Sequence, residues 1–144
     1  MTLWNLPLHP ILVHFPIALF TLAAVYGILS MLRNNKTLNL AFWLHAATGG
    51  IGLLLALTSG LLESGRLTLI PEAQRALTTH ITFAVASTLA GMAVLYTALR
   101  WRLPPQRTYQ KAIFAALLLL LTALLWITGH FGGILVYRYG AGGL

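Results

Sequence analysis

Four long runs of apolar residues, separated by short polar segments, dominate the hydropathy pattern of this chain. They cover about residues 8–32, 38–62, 76–99 and 112–137, and each holds the roughly 20 apolar residues that a helix needs to cross a bilayer core. The pattern predicts an all-α fold, an integral membrane four-helix bundle with up-and-down connections. We expect a single four-span transmembrane domain over residues 1–144.

The composition supports lipid as the natural solvent. Of the 144 residues, 58% are hydrophobic and only 8% are charged, whereas a soluble domain carries about 25% charged residues. A net charge of +7 would suggest nucleic acid as the partner of a soluble protein. Here the basic residues cluster in short loops, so we expect the lipid bilayer as a partner and no nucleic acid.

Loop charges predict the orientation of the bundle. The first and third loops hold six of the nine Lys and Arg residues, and the positive-inside rule places those loops in the cytoplasm. We therefore expect a multi-pass protein of the bacterial inner membrane with both termini in the periplasm. The N-terminus lacks a basic region followed by a small-residue cleavage site, so we expect no cleaved signal peptide.

Two residue types are missing, and this excludes several chemistries. The chain has no cysteine, which rules out disulfides, thiolate metal sites and covalent c-type haem. It also has no aspartate, so a Ser–His–Asp triad and a catalytic aspartate pair are excluded. Histidine is the remaining residue type in the apolar runs with strong metal-ligand chemistry.

The first run opens with two histidines and two prolines. Ionisable side chains at membrane depth are costly and usually functional. Pro10 fits a first helical turn, whereas Pro16 removes a backbone hydrogen bond and should kink the helix near Leu12. On an ideal helix His9 and His14 point about 140° apart. A kink is therefore needed if both are to face the bundle interior.

Three histidines from three different runs are predicted to share one depth near the outer boundary. At about 1.5 Å per residue, His14 lies roughly 8 to 10 Å deep, His80 roughly 6 to 8 Å and His130 roughly 10 Å. His9 sits just above this layer. His45 lies near the inner boundary, where a plain hydrogen bond to a freed carbonyl is the favoured interpretation.

Small residues lie on the faces that carry these histidines, where they let helices or a flat ligand approach closely. On the second run they are Gly49, Gly52, Ala56 and Gly60. On the third run they are Ala84, Ser87 and Gly91, and beside His130 they are Gly132 and Gly133.

A b-type haem near the outer leaflet uses most of these features. Our preferred axial ligands are His14 and His80, with His130 as an alternate ligand or a propionate partner. Helix N-termini on this side favour the anionic propionates, and arginines are available there. They are Arg66, Arg75 and Arg138. This hypothesis makes the protein an electron-transfer component of a membrane redox chain rather than a stand-alone enzyme.

Other functions remain open at this point. The same histidines with Glu63 would make a plausible first shell for zinc, copper or non-haem iron. Alternatively, the chain is a cofactor-free bundle subunit of a larger membrane complex. A redox partner protein, a quinone and a homo-oligomer are the further partners considered.

Four motifs link the chain to a known family. They are His9-Pro10-x-x-Val13-His14-Phe15-Pro16-Ile17-Ala18-Leu19, Gly60-x-x-Glu63, His80 early in the third run, and Gly132-Gly133-x-Leu135-Val136-Tyr137-x-x-Gly140. On these residues the chain resembles the bacterial predicted membrane proteins called domain of unknown function 2231. The resemblance implies a four-span inner-membrane protein, similar in layout to small b-type cytochromes. Ile134 and Glu63 stand where that family usually has an acidic residue and aspartate, respectively.

Overall fold

One short and four long helices make up the computed structural model, which describes residues 8–65 and 70–141. They are α1 (Leu8–Leu12), α2 (His14–Arg33), α3 (Lys36–Ser64), α4 (Pro71–Trp101) and α5 (Thr108–Tyr139). The predicted all-α bundle is confirmed, and the described ranges contain no strand. Arg66, proposed above as a propionate partner, lies outside the described residues.

Four segments are long and apolar enough to cross a membrane. The first joins α1 and α2 as His9–Arg33, and the others are α3, α4 and α5. At 32 residues, α5 is about 48 Å long, well beyond a bilayer core of about 30 Å. The helix α4 starts at Pro71, five residues before the predicted span. Helix ends therefore extend past the apolar layer by different amounts.

Two asparagines form the tight connection between α2 and α3. Asn34 ends α2 in the left-handed region, with φ of 46°, a conformation that asparagine tolerates better than most residues. Asn35 is extended, and its side chain accepts hydrogen bonds from the backbone N–H groups of Thr37 and Leu38. This N-cap satisfies two donors that the first turn of α3 would otherwise leave free.

Loss of that cap should lower stability measurably. Asn35→Ala is expected to reduce the free energy of unfolding by about 0.5–2 kcal/mol, the usual cost of an N-cap. Thermal unfolding in detergent micelles measures the change. Asn35→Asp keeps a capping oxygen and is the matched control. Equal destabilisation by both substitutions would show that the cap is not the cause.

Each long helix contacts two others, so the bundle closes in the order α2, α3, α4, α5 and back to α2. One end, here called the basic end, comprises residues 33–36 and 100–111. The hydrophobic core lies towards this end, where aromatic rings from α2, α3 and α5 are completely buried. Phe42 and Phe114 make an edge-to-face pair with ring centres 5.6 Å apart. The opposite end, here called the cavity end, is packed less tightly.

The small-residue face of α3 packs against α1 and α2. A Cβ atom on Gly49 would lie 3.0 Å from the Phe20 ring, and one on Gly52 would lie 3.3 Å from Pro16. This face thus lets α2 approach closely, and it leaves no gap for a flat ligand at these two positions.

Pro16 interrupts the first membrane segment. Because proline has no N–H group, the carbonyl of Leu12 lacks its usual helical partner, and α1 ends there. The following residue, Val13, still has helical dihedral angles and donates to the carbonyl of His9. The interruption is therefore slight.

Candidate functional site

A cavity of about 330 Å³ lies at the cavity end of the bundle. Among the described residues, α1 contacts α2 and α3 but makes no close backbone contact with α4 or α5, and this separation leaves the space. Along α3 the lining extends from Leu53 to Ser64, which corresponds to about 16 Å of helix. The walls are mainly apolar, with a few polar side chains that converge on one region.

Two histidines face each other across this cavity. The ring centres of His9 on α1 and His80 on α4 are 6.0 Å apart, and their planes are inclined at 82°. His80 is only 8% exposed, and His9 is half-buried. Glycines make room for both rings. A Cβ atom on Gly60 would come within 2.7 Å of the His9 ring, and one on Gly132 within 3.2 Å of the His80 ring.

Hydrogen bonding assigns the tautomer of His80. Its Nδ1 atom lies 2.9 Å from the backbone carbonyl oxygen of Thr128. A carbonyl oxygen can only accept, so Nδ1 carries the proton and donates it. In the neutral ring this leaves a free lone pair on Nε2. That is the form in which imidazole binds a metal while its second nitrogen fixes the ring orientation.

The contact with Ser59 assigns the tautomer of His9. The Ser59 hydroxyl donates its single hydrogen to the carbonyl of Ala56, at 3.0 Å. Its oxygen therefore accepts from His9 Nδ1, at 3.1 Å. His9 thus also presents a free Nε2 lone pair. Both members of the pair are held in the ligand form by partners on neighbouring helices.

Glu63 connects α3 to α1 by a hydrogen bond at the rim of the cavity. Its Oε1 atom accepts a hydrogen bond of 3.2 Å from the backbone N–H of His9. That N–H lies in the first turn of α1, where it has no helical acceptor. The carboxylate therefore positions His9 through the backbone, while Ser59 positions the ring.

The other three histidines do not join the pair. His14 lines the cavity but is exposed, and its Nδ1 donates to the carbonyl of Pro10 in the adjoining α1. His130 is exposed and packs edge-to-face on Phe131, outside the cavity lining. His45 lies on another part of α3, bonded to the carbonyl of Ala41. Of the three histidines predicted to share one layer, His14 and His80 therefore line the cavity, and His130 lies outside its lining.

Of the remaining predicted site residues, the two glycines line the cavity and the two arginines do not. Gly132 and Gly133 both line the cavity, so the glycine-rich part of α5 forms one of its walls. Arg75 is exposed near the start of α4. Arg138, at the end of α5, lies over the Tyr139 ring at 5.6 Å. Both arginines are near the cavity end, but the cavity lining includes neither of them.

Sequence reasoning missed the hydrogen-bonding roles of three polar residues near the pair, of which it had named only Ser87, as a small residue. Ser59, Ser87 and Thr128 all lie at or beside the cavity, and the Ser87 and Thr128 hydroxyls are 3.2 Å apart. Their sequence signal is position. Thr128 precedes Gly132 by four residues, so both lie on one helix face, and Ser59 directly precedes Gly60.

The donor set is a pair and not a cluster. Among the described residues, no group of three or more His, Cys, Asp or Glu side chains is placed to hold a metal ion. A structural zinc site usually needs four protein ligands, and a catalytic one needs three. Two imidazoles alone therefore suit a group that brings its other ligands with it.

Comparison with known proteins identifies the family. The chain matches the family described as "Predicted membrane protein (DUF2231)" over residues 5–143. It belongs to the DUF2231 family. The match covers nearly the whole chain, and the family description agrees with the four apolar helices of this DUF2231 protein. No curated protein and no solved structure gives a significant match.

Proposed function

We propose that this DUF2231 protein is a small b-type cytochrome that binds one haem between His9 and His80. In this proposal His9 replaces His14, the ligand favoured from the sequence. Bound haem would supply a one-electron Fe(III)/Fe(II) couple with two axial imidazoles. The protein would then act as an electron carrier in a membrane redox chain.

The spacing of the two rings carries the proposal. Imidazoles on opposite sides of one metal, each bonded at about 2.0–2.1 Å, have ring centres roughly 6 Å apart. His9 and His80 are separated by 6.0 Å. Each also has Nδ1 engaged and Nε2 free. Edge-to-face packing alone gives a similar spacing, so the adjacent apolar cavity is the observation that favours a shared group over simple packing.

The number of ligands favours haem over a bare metal ion. The porphyrin supplies four equatorial nitrogens, so the protein needs to add only two axial ligands. A zinc, copper or non-haem iron site built on the same pair would require a third protein ligand. Glu63 is the nearest candidate that the sequence offered, but its carboxylate is engaged by the backbone of His9.

The cavity walls have the character that haem requires. The lining is mainly apolar, and Gly132 and Gly133 leave one wall of α5 free of side chains. The N-terminus of α4, at Pro71, lies at this end of the bundle. Its partial positive charge favours carboxylate groups, so the propionates would point towards it and towards the exposed Arg75.

The site would lie on the outer side of a bacterial inner membrane. The basic end carries Arg33, Lys36, Arg100, Arg102, Arg107 and Lys111. Under the positive-inside rule that end faces the cytoplasm, which puts the cavity end and both chain termini towards the periplasm. The haem would therefore exchange electrons near the outer leaflet.

A visible spectrum of the purified protein tests the proposal. After expression with sufficient haem, we expect one haem per chain and a Soret band that shifts and sharpens on reduction with dithionite. Haem extraction and elemental analysis on the same sample give the stoichiometry. A colourless protein that also fails to take up added hemin would overturn the proposal. Stoichiometric zinc or copper in that sample would support the non-haem alternative.

A further inference from the structure

We propose that a lipid-soluble quinol binds at the mouth of the cavity, between His14 and Tyr137, and reduces the haem there. This inference rests on the proposed function and names its electron donor by chemical class. It also gives a role to His14, which the ligand pair does not use.

The mouth opens sideways from the bundle. His14 and Tyr137 both line the cavity, yet both are exposed, Tyr137 to 92%. His14 begins α2 directly after α1, and α1 makes no close backbone contact with α5 in the described ranges, so the bundle is open beside His14 on the side of α5. A molecule dissolved in the membrane could thus reach the histidine pair without passing through the packed core.

The imidazole of His14 is set to accept a proton. Its Nδ1 lies 2.7 Å from the carbonyl oxygen of Pro10, so Nδ1 donates and the Nε2 lone pair is free. An exposed imidazole at membrane depth is costly unless it has a function. A hydroxyl group of a bound ligand would satisfy Nε2 and remove this cost.

The surroundings favour an apolar ring with hydroxyl groups over a water-soluble donor. Pro10, Val13 and Val136 line the cavity near His14, and they offer dispersion contacts but no charge. Ile11 and Phe15 are close to His14 in the sequence and are 50% and 59% exposed, so they offer an apolar surface to an isoprenoid tail. A quinol has this combination of a flat ring, two hydroxyl groups and an apolar tail.

The reaction balances as follows. One quinol would give up two electrons and two protons and become a quinone, in two one-electron steps with two haem-loaded protein molecules. In each step one proton would pass from a hydroxyl group of the ring to His14 Nε2 and then to the aqueous phase. Tyr137 contributes a phenol that can hydrogen-bond the second oxygen of the ring.

Rapid mixing of the oxidised, haem-loaded protein with a short-chain quinol analogue tests the inference. His14→Ala is expected to slow haem reduction by about 10²-fold, the lower range for loss of a general base. His130→Ala is the matched control, since His130 is also an exposed histidine but lies outside the cavity lining. We expect that variant to react at the wild-type rate.

Reduction by dithionite separates failure of this inference from failure of the proposed function. If all variants keep haem and dithionite reduces them fully, but His14→Ala reacts with quinol as fast as wild type, the quinol site is wrong and the haem site stands. If neither the wild-type protein nor any variant binds haem, the proposed function itself has failed. Equal slowing by His14→Ala and His130→Ala would also overturn the quinol site.

Discussion

Replacement of either His9 or His80 by alanine is expected to abolish haem binding. Each variant would lose one of the two proposed axial ligands. The loss should exceed the roughly 10–100-fold reduction in affinity that follows removal of a mere hydrogen-bond partner of a ligand. Haem content per chain and the reduced-minus-oxidised spectrum of the purified variants give the result.

His45→Ala and His14→Ala are the controls for this experiment. His45 bonds a carbonyl within its own helix, away from the cavity, so its removal should leave haem content unchanged. His14→Ala distinguishes the two ligand assignments, since it should retain haem if His9 is the ligand. Retention of a normal spectrum by His80→Ala would refute both assignments. Circular dichroism in detergent checks that each variant remains helical.

We expect the second large effect from Gly60→Ala. This substitution should change helix stability and haem binding in opposite directions. Alanine in place of glycine favours a helix by up to about 1 kcal/mol. The added Cβ atom would nevertheless lie 2.7 Å from the His9 ring, a distance that the ring must relieve by moving. We therefore expect an equally or more thermostable bundle with a strongly reduced haem content.

Gly65→Ala is the matched control for Gly60→Ala. Gly65 follows α3 at the same end, and a Cβ atom there would meet nothing closer than 3.9 Å. That variant should keep its full haem content. Normal haem content in a Gly60→Ala variant of unchanged or higher thermal stability would contradict this prediction. It would mean that His9 occupies a different position when haem is bound.

The sequence predicted the bundle because its signal is long and redundant. Four apolar runs separated by basic and acidic loops allow few arrangements in a membrane. The helix limits were less predictable, since apolar content does not mark where a helix leaves the lipid. The start of α4 at Pro71 depends on proline at the first helical position, which extends the helix ahead of the apolar run.

The choice between His9 and His14 illustrates what the sequence could not decide. Depth counted from the ends of apolar runs paired His14 with His80. Because α4 begins at Pro71, earlier than its apolar run, His80 lies nine residues after the start of the helix, and the end of the apolar run is a poor reference for its depth. Both His9 and His14 line the cavity, but His9 packs on Gly60 and is half-buried, whereas His14 is exposed.

The position of His130 could have been inferred more closely from helix periodicity. Thr128 and Gly132 lie four residues apart and both line the cavity. A residue two positions from each of them is rotated by about 200° on the helix and faces away. The cluster of glycines around His130 suggested a site, but the glycines and not the histidine face the cavity.

The attachment of α1 has a consequence for biogenesis. This five-residue element carries one of the two proposed ligands, yet it is tied to the bundle mainly by the contacts of His9 with Ser59 and Glu63. Displacement of α1 alone would open the pocket while the four long helices stay assembled. We therefore expect membrane insertion of the polypeptide to come first and loading of the prosthetic group to be the last step of maturation.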